Sequence, residues 1–181
     1  MRVLSREEQA RFVSYLLEDM DTCKFGVLLA LFTGVRIGEL CALQWGKISL
    51  KEQTIRIDAT LQRLRDTSAV GSARTRIVIS TPKSDTSVRT IPVTDYTAEL
   101  CGKMDPHSSA AYVLTGTDSF MEPRALQYRI EKYTRECGLE GVHFHTLRHT
   151  FATRAVEVGF EIKSLSEVLG HSPACGQAAS G

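Results

Sequence analysis

Residues 25–40 read FGVLLALFTGVRIGEL, and the other predicted elements are expected to pack around this stretch. Its first half is apolar nearly all round, which predicts a central, buried helix over residues 23–33. Gly34 is expected to end that helix, because glycine tolerates the left-handed conformation found at helix C-termini. A short helix near residues 36–43 follows directly. The chain is therefore expected to fold around one buried helix whose end presents an arginine.

Helical patterns continue on both sides of this stretch. Ser5 and Glu8 have the spacing of a capping box, which predicts a first helix in front of the central one. Apolar residues at helical spacing predict further helices over residues 95–104, 123–137, 145–158 and 161–169. The last three of these helices are each followed by a glycine, Gly138, Gly159 and Gly170.

The middle of the chain switches to the alternation of β-strands. Residues 54–58, 75–81 and 88–93 alternate between apolar and polar side chains, and residues 84–86 supply a turn between the last two segments. The predicted fold class is therefore mainly α with a small three-stranded antiparallel β-sheet, an α+β fold. The last two strands are expected to pair as a hairpin.

Length and composition exclude several classes of protein. A chain of 181 residues that is 43% hydrophobic can bury one sizeable core, so it is neither disordered nor a disulfide-stapled peptide. It holds no run of about 18 apolar residues, and so no membrane span or export signal is expected. The cysteines are odd in number and never C-x-x-C spaced, and the first four read as reduced core thiols of an intracellular protein.

The charge is nearly balanced overall but uneven along the chain. The net charge is +1, which gives no bulk argument for binding nucleic acid. Residues 62–90 nevertheless contain six basic side chains against two acidic ones. Such a basic strip can bind phosphates, and it can equally be the solvated face of a hairpin.

Two pairs of residues at i,i+3 spacing are candidates for chemistry. Glu39 follows Arg36 on one helix face and can fix the direction of its guanidinium, although a surface ion pair has the same spacing. His145 and Arg148 share a face at a helix start, where an anion is favoured. His145 and His149 have the i,i+4 spacing of a zinc pair, but no glutamate follows His145 and the nearby arginine repels a cation.

Two further candidates are weaker when taken alone. Lys83 follows Pro82 in the expected turn between the last two strands, where a long cationic side chain can reach into a cleft. His171 lies just past the end of the last predicted helix. A solvent-exposed turn lysine and a histidine that suits a helix dipole are the ordinary interpretations of these two residues.

Taken in order, these segments resemble the catalytic domain of the tyrosine recombinases, the phage integrase family. The segment TGVRIGEL resembles the first arginine box, TPKSDTSVRTIPV the lysine hairpin, HTLRHTFAT the His-x-x-Arg box and LGHS the last histidine box. The resemblance covers residues 3–172, and four boxes in the same order make it specific.

The resemblance implies DNA strand cleavage and rejoining through a 3′-phosphotyrosine. It implies that Arg36 and Arg148 clamp the non-bridging phosphate oxygens and that Lys83 is the general acid for the 5′-oxygen. His145 and His171 would donate hydrogen bonds to the phosphate, and Glu39 would orient Arg36. The implied partners are double-stranded DNA and other recombinase protomers, with no cofactor, no metal and no membrane. The implied location is the cytoplasm, at the nucleoid.

The expected nucleophile is missing from its place in this pattern. Only ten residues follow His171, none of them tyrosine, and all five tyrosines precede the His-x-x-Arg box. Residues 1–173 are therefore interpreted as an integrase-type catalytic domain, and residues 174–181 as a flexible tail in place of the tyrosine-bearing segment. Two alternatives stay open: a catalytically inactive DNA-binding remnant or partner of a full-length integrase, and, more distantly, a metal-dependent nuclease that uses His143, His145 and His149.

Overall fold

The computed structural model describes residues 2–65, 75–80, 88–104 and 108–170. Helices make up most of these residues, and each predicted helix is present to within one residue at either end. In chain order they are α1 (Arg6–Leu17), α2 (Thr22–Thr33), α3 (Ile37–Ala42), α4 (Asp95–Lys103), α5 (Pro123–Glu136), α6 (Phe144–Glu157) and α7 (Ile162–Leu169). A 3₁₀ helix, Trp45–Lys47, follows α3. No helix among the described residues has the length and apolar character that a membrane span requires.

Two small antiparallel sheets complete the described part of the chain. Strands β1 (Ile48–Ser49), β2 (Thr54–Ile57) and β5 (Arg89–Pro92) form a three-stranded sheet in the order β1-β2-β5. Strands β3 (Thr60–Arg65) and β4 (Thr75–Ser80) form a separate pair. The predicted fold class is confirmed. The expected hairpin between the last two strands is wrong, because β4 pairs with β3 while β5 pairs with β2.

The strand partners follow from which side chains are buried. Ile91 of β5 lies opposite Ile55 of β2, and both are fully buried, so this pair holds β5 against β2. The sequence pattern did not predict strand β3 because its residues are mostly polar, and among the side chains described at positions 60–64 only Leu61 is buried. A Cβ on Gly38 would lie 2.6 Å from the Leu61 carbonyl oxygen. The missing side chain therefore lets α3 approach the backbone of β3.

Helix α2 is the centre of the core, as its apolar sequence predicts. It is buried along almost all of its length and packs against α1, α3, α4 and α6. The Asp21 side chain caps its N-terminus by accepting a hydrogen bond of 2.7 Å from the Lys24 amide. Four of the cysteines are buried in this core as free thiols, and burial raises the pKa of Cys41 to about 12.

Gly34 ends α2 in a conformation that brings three further elements together. Its backbone is left-handed, with φ 67° and ψ 20°. A Cβ at this position would lie 2.5 Å from Cδ1 of Phe151 on α6 and 2.8 Å from Cδ2 of Leu169 on α7. The turn from α2 into α3 therefore lies directly against α6 and α7, which places Arg36 beside both of these helices.

The substitution Gly34→Ala is expected to destabilise the protein by about 2–5 kcal/mol. The left-handed backbone costs an alanine about 1–2 kcal/mol, and the contacts with α6 and α7 add an overpacking cost of about 1–3 kcal/mol. Urea unfolding followed by circular dichroism measures this loss.

Two other glycines provide matched controls. Gly138 has a φ of 66° but nothing within 4 Å of its Cβ position, so Gly138→Ala should show only the backbone cost. Gly102 lies inside α4 with open space around it, so Gly102→Ala should stabilise the helix by about 0.5–1 kcal/mol. Equal losses for Gly34→Ala and Gly138→Ala would show that the close packing against α6 and α7 is absent.

Candidate functional site

Arg36 and Glu39 form a closed pair at the start of α3. The Arg36 amide donates a hydrogen bond of 2.8 Å to Oε2 of Glu39, and Nη1 of the same arginine donates one of 2.9 Å to Oε1. The carboxylate thus caps the helix N-terminus and holds the guanidinium at the same time. The Glu39 side chain is only 4% exposed, whereas that of Arg36 is 39% exposed. The arginine is therefore the member of the pair that faces solvent.

A second arginine, Arg89 on β5, donates hydrogen bonds to the same carboxylate. It is the first residue of β5, and its Nη1 and Nη2 atoms donate hydrogen bonds of 2.8 Å to Oε1 and Oε2 of Glu39. The sequence pattern placed Arg89 only in the basic strip. A signal was present, because Arg89 and Ile91 are two residues apart on a strand and so share its buried face. An arginine on a buried face requires acceptors for its hydrogen-bond donors, and a carboxylate supplies both acceptors and a counter-charge.

Arg148 reaches the site from α6 and is itself buried. Its Nη1 donates to the carbonyl oxygen of Gly34, and its Nη2 donates a hydrogen bond of 2.6 Å to the carbonyl oxygen of Leu169. The side chain therefore joins the end of α2 to the end of α7. These two contacts explain why the turn at Gly34 and the end of α7 lie so close together.

The last carbonyl groups of α7 each accept from a different arginine. Nε of Arg89 donates to Val168 O at 2.6 Å, and Nη2 of Arg36 donates to Gly170 O at 2.8 Å. Arg148 donates to the carbonyl between them, that of Leu169. Carbonyl groups at a helix C-terminus lack partners within the helix, and the negative end of the helix dipole lies there. The three guanidinium groups therefore lie close together at the end of α7.

The electrostatics of the cluster leave an excess of positive charge. Three guanidinium groups surround one carboxylate, which gives these four side chains a net charge of +2. Burial, together with repulsion from Arg36, lowers the pKa of Arg148 to about 10, so it remains protonated at neutral pH. Burial alone would raise the pKa of Glu39, but the hydrogen bonds and charge of Arg89, and then those of Arg36, lower it below its ordinary value. Glu39 is therefore ionised at neutral pH.

A cavity of about 580 Å³ opens next to this cluster. Its lining includes Arg36 and Arg148 together with His145 and His149, and β3 forms its opposite wall. His145 is exposed at the start of α6, while His149 is half-buried one turn later. Burial, followed by repulsion from His145, lowers the pKa of His149, which keeps that imidazole neutral. Three of the predicted site residues, Arg36, His145 and Arg148, thus line one cavity, and Glu39 lies directly behind Arg36.

The other two predicted site residues are not located. Lys83 and His171 both lie outside the described residues, as does the 174–181 tail. Arg89 and Gly170 are close to them in sequence and are described. Arg89 contacts Glu39 and Gly170 contacts Arg36, so the chain leaves the segment that contains Lys83, and enters the one that contains His171, beside the cluster.

The histidines do not assemble a metal site in the described part of the chain. The ring centroids of His145 and His149 are 6.5 Å apart, and His143 lies beside Glu131 at 4.0 Å. In residues 2–65, 75–80, 88–104 and 108–170, no group of three or more histidine, cysteine, aspartate or glutamate side chains is placed to hold a metal ion.

The sequence model of the phage integrase family matches residues 2–174, nearly the whole chain. The chain belongs to the phage integrase family. The residues that line the cavity lie on α3 and α6, inside the matched region.

Curated relatives of this phage integrase family member carry recombinase names. It is 32% identical to a tyrosine recombinase of Pseudothermotoga lettingae over 152 residues, which is 80% of this chain and 43% of the relative. It is 28% identical to tyrosine recombinase XerA of Thermococcus kodakarensis over 177 residues, which is 94% of this chain and 54% of the relative. The chain thus spans about half the length of these relatives.

Solved structures share the fold. The Tn1549 transposon integrase in complex with a circular intermediate DNA superposes with a TM-score of 0.73 at 22% identity, covering 94% of this chain and 58% of that one. The crystal structure of XerA recombinase gives a TM-score of 0.68 at 22% identity, covering 96% of this chain and 57% of that one.

The substitution Glu39→Gln is expected to lower the free energy of unfolding by about 3 kcal/mol at pH 7, because it leaves the buried Arg89 without its counter-charge and removes the partner of the partly exposed Arg36. The pKa of Glu39 is lower in the folded state than its ordinary value of 4.5, so its contribution is present above that value. It is lost as the pH falls through the folded-state pKa. The difference between the two proteins should therefore be constant from about pH 6 to pH 8 and shrink below about pH 4.5.

The exposed pair Glu99–Lys103 provides the control, because its side chains are 63% and 57% exposed. The substitution Glu99→Gln should cost less than about 0.5 kcal/mol. Chemical denaturation across this pH range measures both variants. A Glu39→Gln loss as small as that of Glu99→Gln would contradict the buried, doubly paired carboxylate.

Proposed function

We propose that this chain is the DNA-binding catalytic domain of a site-specific tyrosine recombinase, which breaks and rejoins DNA strands through a 3′-phosphotyrosine. The observation that carries the proposal is the cluster of three arginines and one carboxylate beside an open cavity. Its net charge of +2 suits a phosphodiester, which carries one negative charge. The recombinase names of the relatives support the same reaction.

Arg36 and Arg148 bind the two non-bridging oxygens of the phosphate. Both line the cavity, and both are held in place by contacts with the protein on their inner side. In the five-coordinate transition state, negative charge builds up on these oxygens. Guanidinium groups already fixed in position stabilise that charge without reorganising, and they remain protonated throughout. These two arginines thereby supply the charge stabilisation that a metal ion provides in other phosphoryl-transfer sites.

The remaining residues handle protons and orientation. His145 is exposed at the mouth of the cavity and donates a hydrogen bond to the phosphate. Lys83 protonates the 5′-oxygen as it leaves, and His171 adds a further donor to the phosphate. Glu39 contacts no substrate and orients Arg36 from behind.

The nucleophile comes from outside these 181 residues. All five tyrosines lie in the described part of the chain, and none of them lines the cavity. A hydrogen bond to Glu136 raises the pKa of Tyr15 to about 12, and burial raises the pKa of Tyr133, which is the opposite of what a nucleophile requires. The 181-residue chain is therefore inactive alone in strand cleavage.

The position of all five tyrosines away from the cavity also favours a second candidate function. In this function the chain is a DNA-binding partner of a full-length integrase and performs no chemistry itself. In either case the partners are duplex DNA and other recombinase protomers. The site of action is the cytoplasm, at the nucleoid. A phosphotyrosine adduct on nicked duplex DNA distinguishes the two functions once a tyrosine-bearing segment is supplied. An adduct that maps to one of the five tyrosines of this chain would contradict the assignment of the nucleophile.

Binding to duplex DNA tests the phosphate clamp. The affinity should lie at about 10⁻⁴–10⁻⁶ M near physiological salt and should fall steeply as salt increases, because phosphate contacts release counterions. The substitution Arg148→Gln should weaken binding about tenfold and reduce the slope of log K against log salt by about 1. Fluorescence anisotropy of a labelled 20-base-pair duplex between about 50 and 200 mM salt measures both quantities.

Arg6 provides the control, because it pairs with Glu157 at the opposite end of α6 from His145. The substitution Arg6→Gln also removes one positive charge and should leave the affinity and the salt slope nearly unchanged. Equal effects of Arg148→Gln and Arg6→Gln would indicate nonspecific attraction by overall charge and would overturn the clamp.

A further inference from the structure

Of the three arginines in the cluster, Arg89 is the one that does not line the cavity. Its side chain is 7% exposed, and the residues around the cavity include Arg36 and Arg148 but not Arg89. It therefore cannot act by touching a phosphate in the cavity. The groups through which it can affect the site include Glu39 and the end of α7.

The hydrogen bonds that Glu39 accepts show how Arg89 can affect the position of Arg36. Each carboxylate oxygen accepts two hydrogen bonds: Oε1 from the Nη1 atoms of Arg36 and Arg89, and Oε2 from the Arg36 amide and from Nη2 of Arg89. A carboxylate offers about four acceptor positions, and these bonds occupy all of them. The planar fork of Arg89 fixes the plane of the carboxylate, and that plane sets the direction of the Arg36 guanidinium.

The second contact ties the same arginine to α7. Nε of Arg89 donates to the Val168 carbonyl, two residues before Gly170. Gly170 is left-handed, with φ 66°, and a Cβ there would lie 2.9 Å from Nη1 of Arg89 and 3.0 Å from Nη1 of Arg36. The glycine therefore allows both guanidinium groups to approach the backbone at the end of α7, directly before His171.

We propose that Arg89 is a positioning residue for the phosphate clamp, acting through Glu39 on Arg36 and through Val168 on the end of α7. The inference rests on the proposed function, since it assigns Arg89 a role in the same DNA-binding site. It assigns the third arginine of the cluster a role in the site that involves no contact with DNA. The side chain of Arg89 also links β5, which follows the Lys83 segment, to α3 and to the end of α7.

A double-mutant cycle on duplex DNA affinity tests this role. Arg36→Gln should weaken binding about tenfold, as expected for the loss of a charge-assisted hydrogen bond to phosphate. Arg89→Gln should weaken it by a similar factor, and in the Arg36→Gln background only the smaller part that passes through the end of α7 should remain. Arg89→Lys keeps the charge without the fork and should restore less than half of the loss on a logarithmic scale.

The outcomes separate the two proposals. If Arg36→Gln leaves the affinity unchanged, the clamp itself is wrong. If Arg36→Gln weakens binding but the Arg89→Gln loss adds fully to it, the clamp stands and the positioning role of Arg89 is overturned. Full recovery by Arg89→Lys would likewise overturn it, because charge alone would then be sufficient.

Arg154 provides the control for a merely structural effect. It also donates to a backbone carbonyl, that of Leu4, and to a carboxylate, that of Glu157, but it lies away from the cavity. Arg154→Gln should reduce stability and leave DNA affinity unchanged. Circular dichroism at the assay temperature establishes that each variant is folded.

A measurement on the unsubstituted chain covers the case in which the Arg89 variants do not fold. Guanidinium NMR should show slow rotation of the Arg89 Nη groups both without and with DNA. The Arg36 signals should shift when DNA is added. Fast rotation of Arg89 in the free protein, or a DNA-induced shift at Arg89 larger than that at Arg36, would overturn the proposal.

Discussion

One buried carboxylate, Glu39, sets the geometry of the cluster on which the site depends. It accepts hydrogen bonds from the start of its own helix, from the Arg36 side chain and from Arg89 on β5. A carboxylate this buried would be costly without partners, and two guanidinium groups compensate for that cost. The interaction joins α3 to the three-stranded sheet. It also leaves Arg36 partly exposed and directed towards the cavity.

The end of α7 provides the second constraint. Three arginines from three different elements donate to its last carbonyl groups, and glycines at positions 34 and 170 allow the backbones to approach closely enough. Burial, and then repulsion from the neighbouring Arg36, lowers the pKa of Arg148, so both effects disfavour its charged form. An anion in the cavity would reduce the repulsion. The side chains of the cluster are thus already ordered without a ligand, as the proposed phosphodiester clamp requires.

Much of this arrangement is predictable from local sequence patterns. The capping box at Ser5, the apolar run of α2 and the glycines after the helices each depend on nearby residues, and the helices are present as predicted. The i,i+3 spacings also placed Glu39 behind Arg36 correctly, and brought His145 and Arg148 onto the same end of α6. These features could be predicted because their physical causes lie within one helical turn.

The features that escaped prediction depend on contacts between distant segments. Strand β3 has a polar sequence and is held in place by the close approach of α3 at Gly38. The partner of Arg89 lies 50 residues earlier in the chain, and no local pattern identifies it. The strand pairing was mispredicted for the same reason, because the buried pair of Ile55 and Ile91 links segments separated by all of β3 and β4.

The most direct test of the phosphodiester clamp is a crystal structure of this chain soaked with dimethyl phosphate, a phosphodiester analogue that carries a single charge. The analogue is expected to bind in the cavity beside α6, with its two anionic oxygens about 2.7–2.9 Å from guanidinium nitrogens of Arg36 and Arg148. The Glu39 carboxylate should stay in place behind Arg36. The clamp would be contradicted if dimethyl phosphate bound elsewhere on the molecule while this cavity held none.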